Sequence, residues 1–156
     1  MAMSDYRPLF ENTMHQVGTS IKPDNDFRAK QAVLCLWHVI ELYNANKGQA
    51  VEEPSLLLEK IADKAISVKL ESTTRTAILG TYHFIERSNY RLGWKRIAKL
   101  TDKAILNNLP EASREGLSFM KMSASRFWLL DDLEYRTVLN TLSDKYRQAF
   151  KKEYFA

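Results

Sequence analysis

An all-α, single-domain bundle of about six to seven helices is the fold class this sequence predicts, and three observations predict it. Apolar residues recur at spacings of three and four, while alternation with a period of two is nowhere sustained. Glycine (5) and proline (4) are scarce, leaving too few turn formers for a many-stranded β fold. At 156 residues one core suffices, because a chain of this size buries roughly 70% of the surface its unfolded form exposes. Residues 1–156 therefore read as one domain, with 1–4 and 155–156 as loose ends.

The first helix is expected from about Asp5 to Val17, closed by Gly18, with Leu9, Phe10, Met14 and Val17 on one side. Asp24 and Asp26 supply a cap and dipole-favouring acids for a long helix to about Asn46, stopped by Lys47-Gly48. Its stripe of Phe27, Val33, Leu34, Leu36, Trp37, Ile40, Leu42 and Tyr43 is too broad for a surface helix, which makes it the expected central helix. Glu52-Glu53-Pro54 opens the third helix, since proline is tolerated in a first turn and acids complement the N-terminal partial charge. Ser72-Thr73-Thr74 caps a fourth that ends near Ser88-Asn89. A fifth is expected from Asn89 to about Leu109, where Pro110 ends it. Pro110-Glu111-Ala112 opens the sixth, which Ser123-Ala124-Ser125 breaks, and the last helix runs from about Asp131 to Tyr154.

Several function classes find no support in the residues. The N-terminus lacks a basic stretch followed by an apolar one, and no window approaches the roughly 18 uninterrupted apolar residues of a membrane span, so the expected setting is cytoplasmic with no membrane partner. Cys35 is the single cysteine, inside an apolar run, and is expected as a buried, inert thiol. His15, His38 and His83 are far apart and show no metal-ligand spacing, and His38 reads as a core histidine. The neighbouring carboxylates Asp131-Asp132 and Glu52-Glu53 point about 100° apart on a helix and make no shared acid/base pair. With no phosphate loop and no nucleophile elbow, the expectation is a protein that is not an enzyme and needs no cofactor and no metal.

The charge is informative by its placement. Between Arg87 and Lys103 six bases (Arg87, Arg91, Lys95, Arg96, Lys99 and Lys103) stand against Asp102, a net of +5, while the whole chain carries 23 bases against 19 acids, +4. The other 139 residues thus sum to −1. Arg87, Arg91, Lys95, Lys99 and Lys103 recur every four residues, a row on one helix face about 24 Å long. Like charges so placed cost about 0.2–0.5 kcal/mol per pair, which an anionic partner offsets. Such a row suits the phosphates of single-stranded DNA or RNA, with Asn89, Tyr90 and Trp94 interleaved, where an exposed aromatic stacks on an unpaired base. The same row also fits a solvated face paired with acids such as Glu52, Glu53 or Glu59. A secondary basic patch, Lys145, Arg147, Lys151 and Lys152, lies where cations complement the end of the last helix. Phe127-Trp128 with Tyr135 reads as core closure or as a partner-facing patch.

Leu129-Leu130-Asp131-Asp132-Leu133, followed after a basic, aromatic helix by Lys152-Glu153-Tyr154-Phe155, resembles the end of the small subunit of type I-E CRISPR Cascade complexes. The order of a long apolar second helix (Arg28 to Tyr43) and a basic middle helix is similar too. That resemblance implies an all-helical subunit of an antiviral defense complex that pairs with a copy of itself and holds displaced single-stranded DNA through Lys and Arg. Two classes thus stand side by side. One is a non-catalytic subunit that binds nucleic-acid backbone within a larger complex. The other is a helical protein-interaction module, an adaptor or inhibitor, that docks its basic helix on an acidic protein partner.

Overall fold

The computed structural model describes residues 7–45 and 53–154, the last four of them as backbone only. Seven α-helices follow one another: α1 (Arg7–Ser20), α2 (Asp26–Ala45), α3 (Pro54–Ser67), α4 (Glu71–Arg87), α5 (Trp94–Leu106), α6 (Pro110–Phe127) and α7 (Leu133–Tyr154), with a short 3-10 turn, Arg91–Gly93, before α5. Among the described residues there is no strand. The expected all-α bundle is what forms, around one contiguous apolar cluster that runs from Val17 in α1 to Phe150 in α7. Asp5, Asn46, Lys47-Gly48 and Glu52, invoked above as helix ends, lie outside the described residues.

The central helix is α4, which packs against α2, α3, α5 and α6, and not α2 as the apolar stripe suggests. Phe27, at the start of that stripe, is 75% exposed, and Leu34 is exposed as well. Cys35 and His38 also face outward, so neither is the core residue expected of it. The reason is that α2 packs chiefly on α1 and α4 and buries the arc of Ala29, Ala32, Val33, Leu36, Ile40 and Tyr43, leaving much of its remaining apolar surface exposed.

Helix starts are organised between helices. Asp26, the first residue of α2, does not cap its own helix: its carboxylate accepts hydrogen bonds from the Ser72 N–H (2.9 Å), the Thr73 N–H (2.8 Å) and the Thr73 hydroxyl (2.7 Å), the first turn of α4. Glu71, opening α4, in turn accepts from the Glu111 N–H (3.3 Å) and the Ala112 N–H (3.0 Å) at the start of α6. Burial pushes the Glu71 carboxyl up in spite of those two bonds. Two carboxylates therefore relay α2 to α4 and α4 to α6, each occupying the positive end of a neighbour's dipole.

Helix stops share one motif that needs no glycine. Lys69 (φ 60°), Asn89 (φ 59°), Asn108 (φ 63°) and Trp128 (φ 57°) are all left-handed and follow α3, α4, α5 and α6. After each of them the next N–H reaches back five residues: Leu70 to Ala65 O, Tyr90 to Ile85 O, Leu109 to Ala104 O and Leu129 to Ala124 O. Leu70, Leu109 and Leu129 are buried, the apolar clasp that accompanies such stops. Gly18, by contrast, does not end α1, which continues to Ser20, where the Asn25 side-chain amide donates to the free carbonyl (2.8 Å). Nor does Ser123-Ala124-Ser125 break α6, because Ser123 Oγ donates to Phe119 O (3.0 Å) within the helix.

Candidate nucleic-acid interface and the adjoining elbow

The row from Arg87 to Lys103 does not lie on one helix. Arg87 is the last residue of α4, Arg91 belongs to the 3-10 turn, and only Lys95, Arg96, Lys99 and Lys103 are on α5. Left-handed Asn89 sits at the break, and its bond to Glu86 O (3.1 Å) together with that of Tyr90 to Ile85 O (3.2 Å) closes α4. Asparagine tolerates that conformation better than most residues, which is the local signal that a reading of one continuous helix misses.

The bases then divide among neighbouring acids. Arg87 Nη1 donates to both oxygens of Glu41 on α2 (2.7 and 2.9 Å). Burial alone would raise the Glu41 carboxyl, but the Arg87 guanidinium and nearby His83 outweigh it and hold it below its ordinary value. Arg91 Nε donates to the carbonyl of Phe127 at the end of α6 (3.3 Å) and its Nη1 lies 4.0 Å from Asp132. Lys95 pairs with Glu134 on α7 (2.7 Å), whose hydrogen bond and charge raise the ammonium above its ordinary value. On the opposite side of α5, Arg96 bonds Glu59 and Ser55 Oγ, and Lys103 bonds Asp63, all on α3. The paired bases of α5 itself form a seam that ties it to α3 on one flank and to α7 on the other.

Lys99, exposed on the crest between the flanks, has no ion-pair partner among the described residues. The secondary patch divides similarly. Lys145 bonds Asp102 of α5 (2.9 Å), so it adjoins the first group through an acid, and Arg147 bonds Asp144 on its own helix. The side chains of Lys151 and Lys152 lie outside the described residues.

Of the interleaved aromatics, Trp94 is only 2% exposed and packs edge-on against Tyr135, 5.3 Å between ring centres, so it is core and not a stacking platform. Tyr90 is exposed. The largest outward aromatic is Trp128, in the elbow between α6 and α7. It is 87% exposed, and Leu130 (69%) and Leu133 (71%) flank it, while Leu129 between them is fully buried. Hydrogen bonds hold the elbow in shape: Asp132 N–H to Leu129 O (3.0 Å), Tyr135 N–H to Asp132 Oδ1 (3.0 Å) and Arg136 N–H to Asp132 O (3.1 Å). Beneath it the buried Tyr135 hydroxyl donates to Met120 O (2.6 Å), fastening α7 to α6. Of the two readings of this cluster, Phe127 and Tyr135 take core closure and Trp128 faces outward.

Among the described residues no group of three or more His, Cys, Asp or Glu side chains is placed to hold a metal ion, and no helix is long and apolar enough to cross a membrane. No known family, no curated protein and no solved structure matches the chain.

Proposed function

We propose that this chain is a non-catalytic helical subunit that assembles with a second copy of itself through the α6–α7 elbow. The observation that carries this reading is the ledge of Trp128, Leu130 and Leu133, three large apolar side chains presented together by a hydrogen-bonded turn. Large exposed apolar side chains grouped on one short turn are a mark of interaction sites, and tryptophan is among the residues most enriched where binding energy concentrates. Its rim carries both signs. Exposed Arg136 and Asp131 have no ion-pair partner among the described residues, and exposed Arg126 lies over the Phe127 ring. A twofold contact that sets the Arg126 and Arg136 of one copy against Asp131 of the other is self-complementary.

Trp128→Gly separates assembly from folding, because glycine adopts φ 57° without strain. The variant is expected to melt no lower than the parent. Its dimer dissociation constant, measured by sedimentation over about 1–100 µM, is expected to rise about thirtyfold or more, the loss of one central anchor. A parent chain that stays monomeric throughout, or a variant that associates as the parent does, contradicts the reading.

A second reading, contact with nucleic-acid backbone through Arg91, Lys95, Arg96, Lys99 and Lys103, draws on Lys99 and on the resemblance to the CRISPR small subunit. Since the other four bases already face acids, binding is expected to show a salt slope of about 1 and not about 5. Lys99→Glu is expected to abolish retention of single-stranded oligonucleotide at about 50 mM salt. Unchanged retention excludes this reading.

A further inference from the structure

One hollow of about 850 Å³ opens where the end of α4 meets the start of α3. Its volume falls within the roughly 300–1,000 Å³ typical of small-molecule sites. Two guanidiniums line it, Arg87 and Arg96, with Ser55, Asn89 and Tyr90, and among its described lining residues the one carboxylate is Glu53. Among the described residues neither guanidinium has all its donors engaged. Arg87 engages Glu41 through Nη1 alone. Arg96 uses Nε on Glu59 and Nη1 on Ser55, and its Nη2 is buried with no hydrogen-bond partner. Arg87, 59% exposed at its side chain, keeps the donors that a ligand in the hollow can reach.

We propose that this hollow binds a phosphate monoester carried on a planar ring, a mononucleotide. Guanidinium forks match phosphate oxygens in charge and geometry, which is why arginine recurs at such sites. The Arg87 pair with Glu41 is exposed, so a dianion that displaces or shares it gives up little. The first turn of α3, Pro54 to Leu56, forms one wall of the hollow, its start carries no side-chain cap, and its dipole favours negative charge. Tyr90 supplies an aromatic face for the ring, and the Asn89 amide supplies both a donor and an acceptor for its edge. The site shares no residue with the ledge around Trp128, so it stands or falls independently of self-assembly.

Calorimetric titration of the full chain with adenosine monophosphate, inorganic phosphate and adenosine, at about 50 mM salt, tests this. Saturable one-to-one binding of the monophosphate is expected, with inorganic phosphate competing and adenosine weaker. Arg87→Gln is expected to weaken the monophosphate by about tenfold or more, the loss of a charge-assisted hydrogen bond. Tyr90→Ala is expected to weaken the monophosphate and leave inorganic phosphate unaffected. A short oligonucleotide with a 5′-phosphate that competes as well as the monophosphate identifies a strand end as the source, and failure to compete identifies the free nucleotide. No saturable binding to the parent chain, or equal binding by Arg87→Gln, overturns the proposal.

Discussion

Replacing Asp26 with alanine is expected to lower the unfolding free energy by about 2–4 kcal/mol, a larger effect than any substitution in the basic row. Asp26 is half-buried and accepts three hydrogen bonds from Ser72 and Thr73, two of them from backbone N–H groups of α4 that have no partner within their own helix. Thr73 is fully buried, so alanine at position 26 strands its N–H where water does not easily reach, while its hydroxyl keeps only the Asp26 backbone carbonyl (3.0 Å). Loss of a single cap costs about 0.5–2 kcal/mol, and here a charged acceptor serves three donors at the start of the central helix. Asp26→Asn keeps one acceptor oxygen and is expected to lose about half as much. Urea denaturation of both variants measures this. An Asp26→Ala midpoint within experimental error of the parent would mean that the relay from α2 to α4 contributes nothing to stability.

Gly116→Ala is expected to destabilise by about 1–3 kcal/mol even though alanine is the better helix former by about 1 kcal/mol. A Cβ at position 116 overlaps Thr101 Oγ1 and lies 3.0 Å from Thr101 Cβ and 3.3 Å from its Cγ2. Thr101 has no room to retreat, since it is fully buried and its hydroxyl donates to Ile97 O (2.7 Å). The two helices, α5 and α6, come close together here, and glycine permits it. Thr101→Ala removes the overlapping oxygen, so the double variant is expected to recover much of the loss, a non-additivity of about 1 kcal/mol or more. Gly18→Ala is the control, because nothing lies within 4 Å of its Cβ and helix propensity acts alone there. That change is expected to stabilise by about 0.5–1 kcal/mol. Thermal melting of the four chains checks the set, and additive Gly116 and Thr101 effects would remove the steric account.

Legibility differs by element. Proline at the first turns of α3 and α6 announces both helices, since its fixed φ suits an N-terminal turn and its missing N–H is not needed there. Helix ends are less legible because they are marked by Lys69, Asn89, Asn108 and Trp128, residues whose left-handed conformation is imposed by the buried leucine or the returning hydrogen bond that follows. A search for glycine finds Gly18, which ends nothing. The basic row shows the same division. Its charge count is plain in the chain, but its spacing suggests a single face only if the helix is continuous, and Asn89 interrupts it. Glu59 is named beforehand as a possible partner of that row, and it does pair with Arg96. Glu41, Asp63, Asp132 and Glu134 come from α2, α3, the elbow before α7 and α7 itself, at separations that no local pattern reveals.

By itself the sequence determined that this protein is helical, that one core holds it, and where its positive charge is concentrated. These follow from local periodicity, from composition and from counting, all of which act over a few residues. Only the tertiary structure decided which face of α2 is covered, that α4 is central, that the bases meet acids on both flanks of α5, and that Trp128 stands outside while Trp94 is inside. Each of these depends on which helices come to lie beside one another, and that is settled by packing between residues some forty positions apart, such as Asp26 with Thr73 and Arg96 with Glu59.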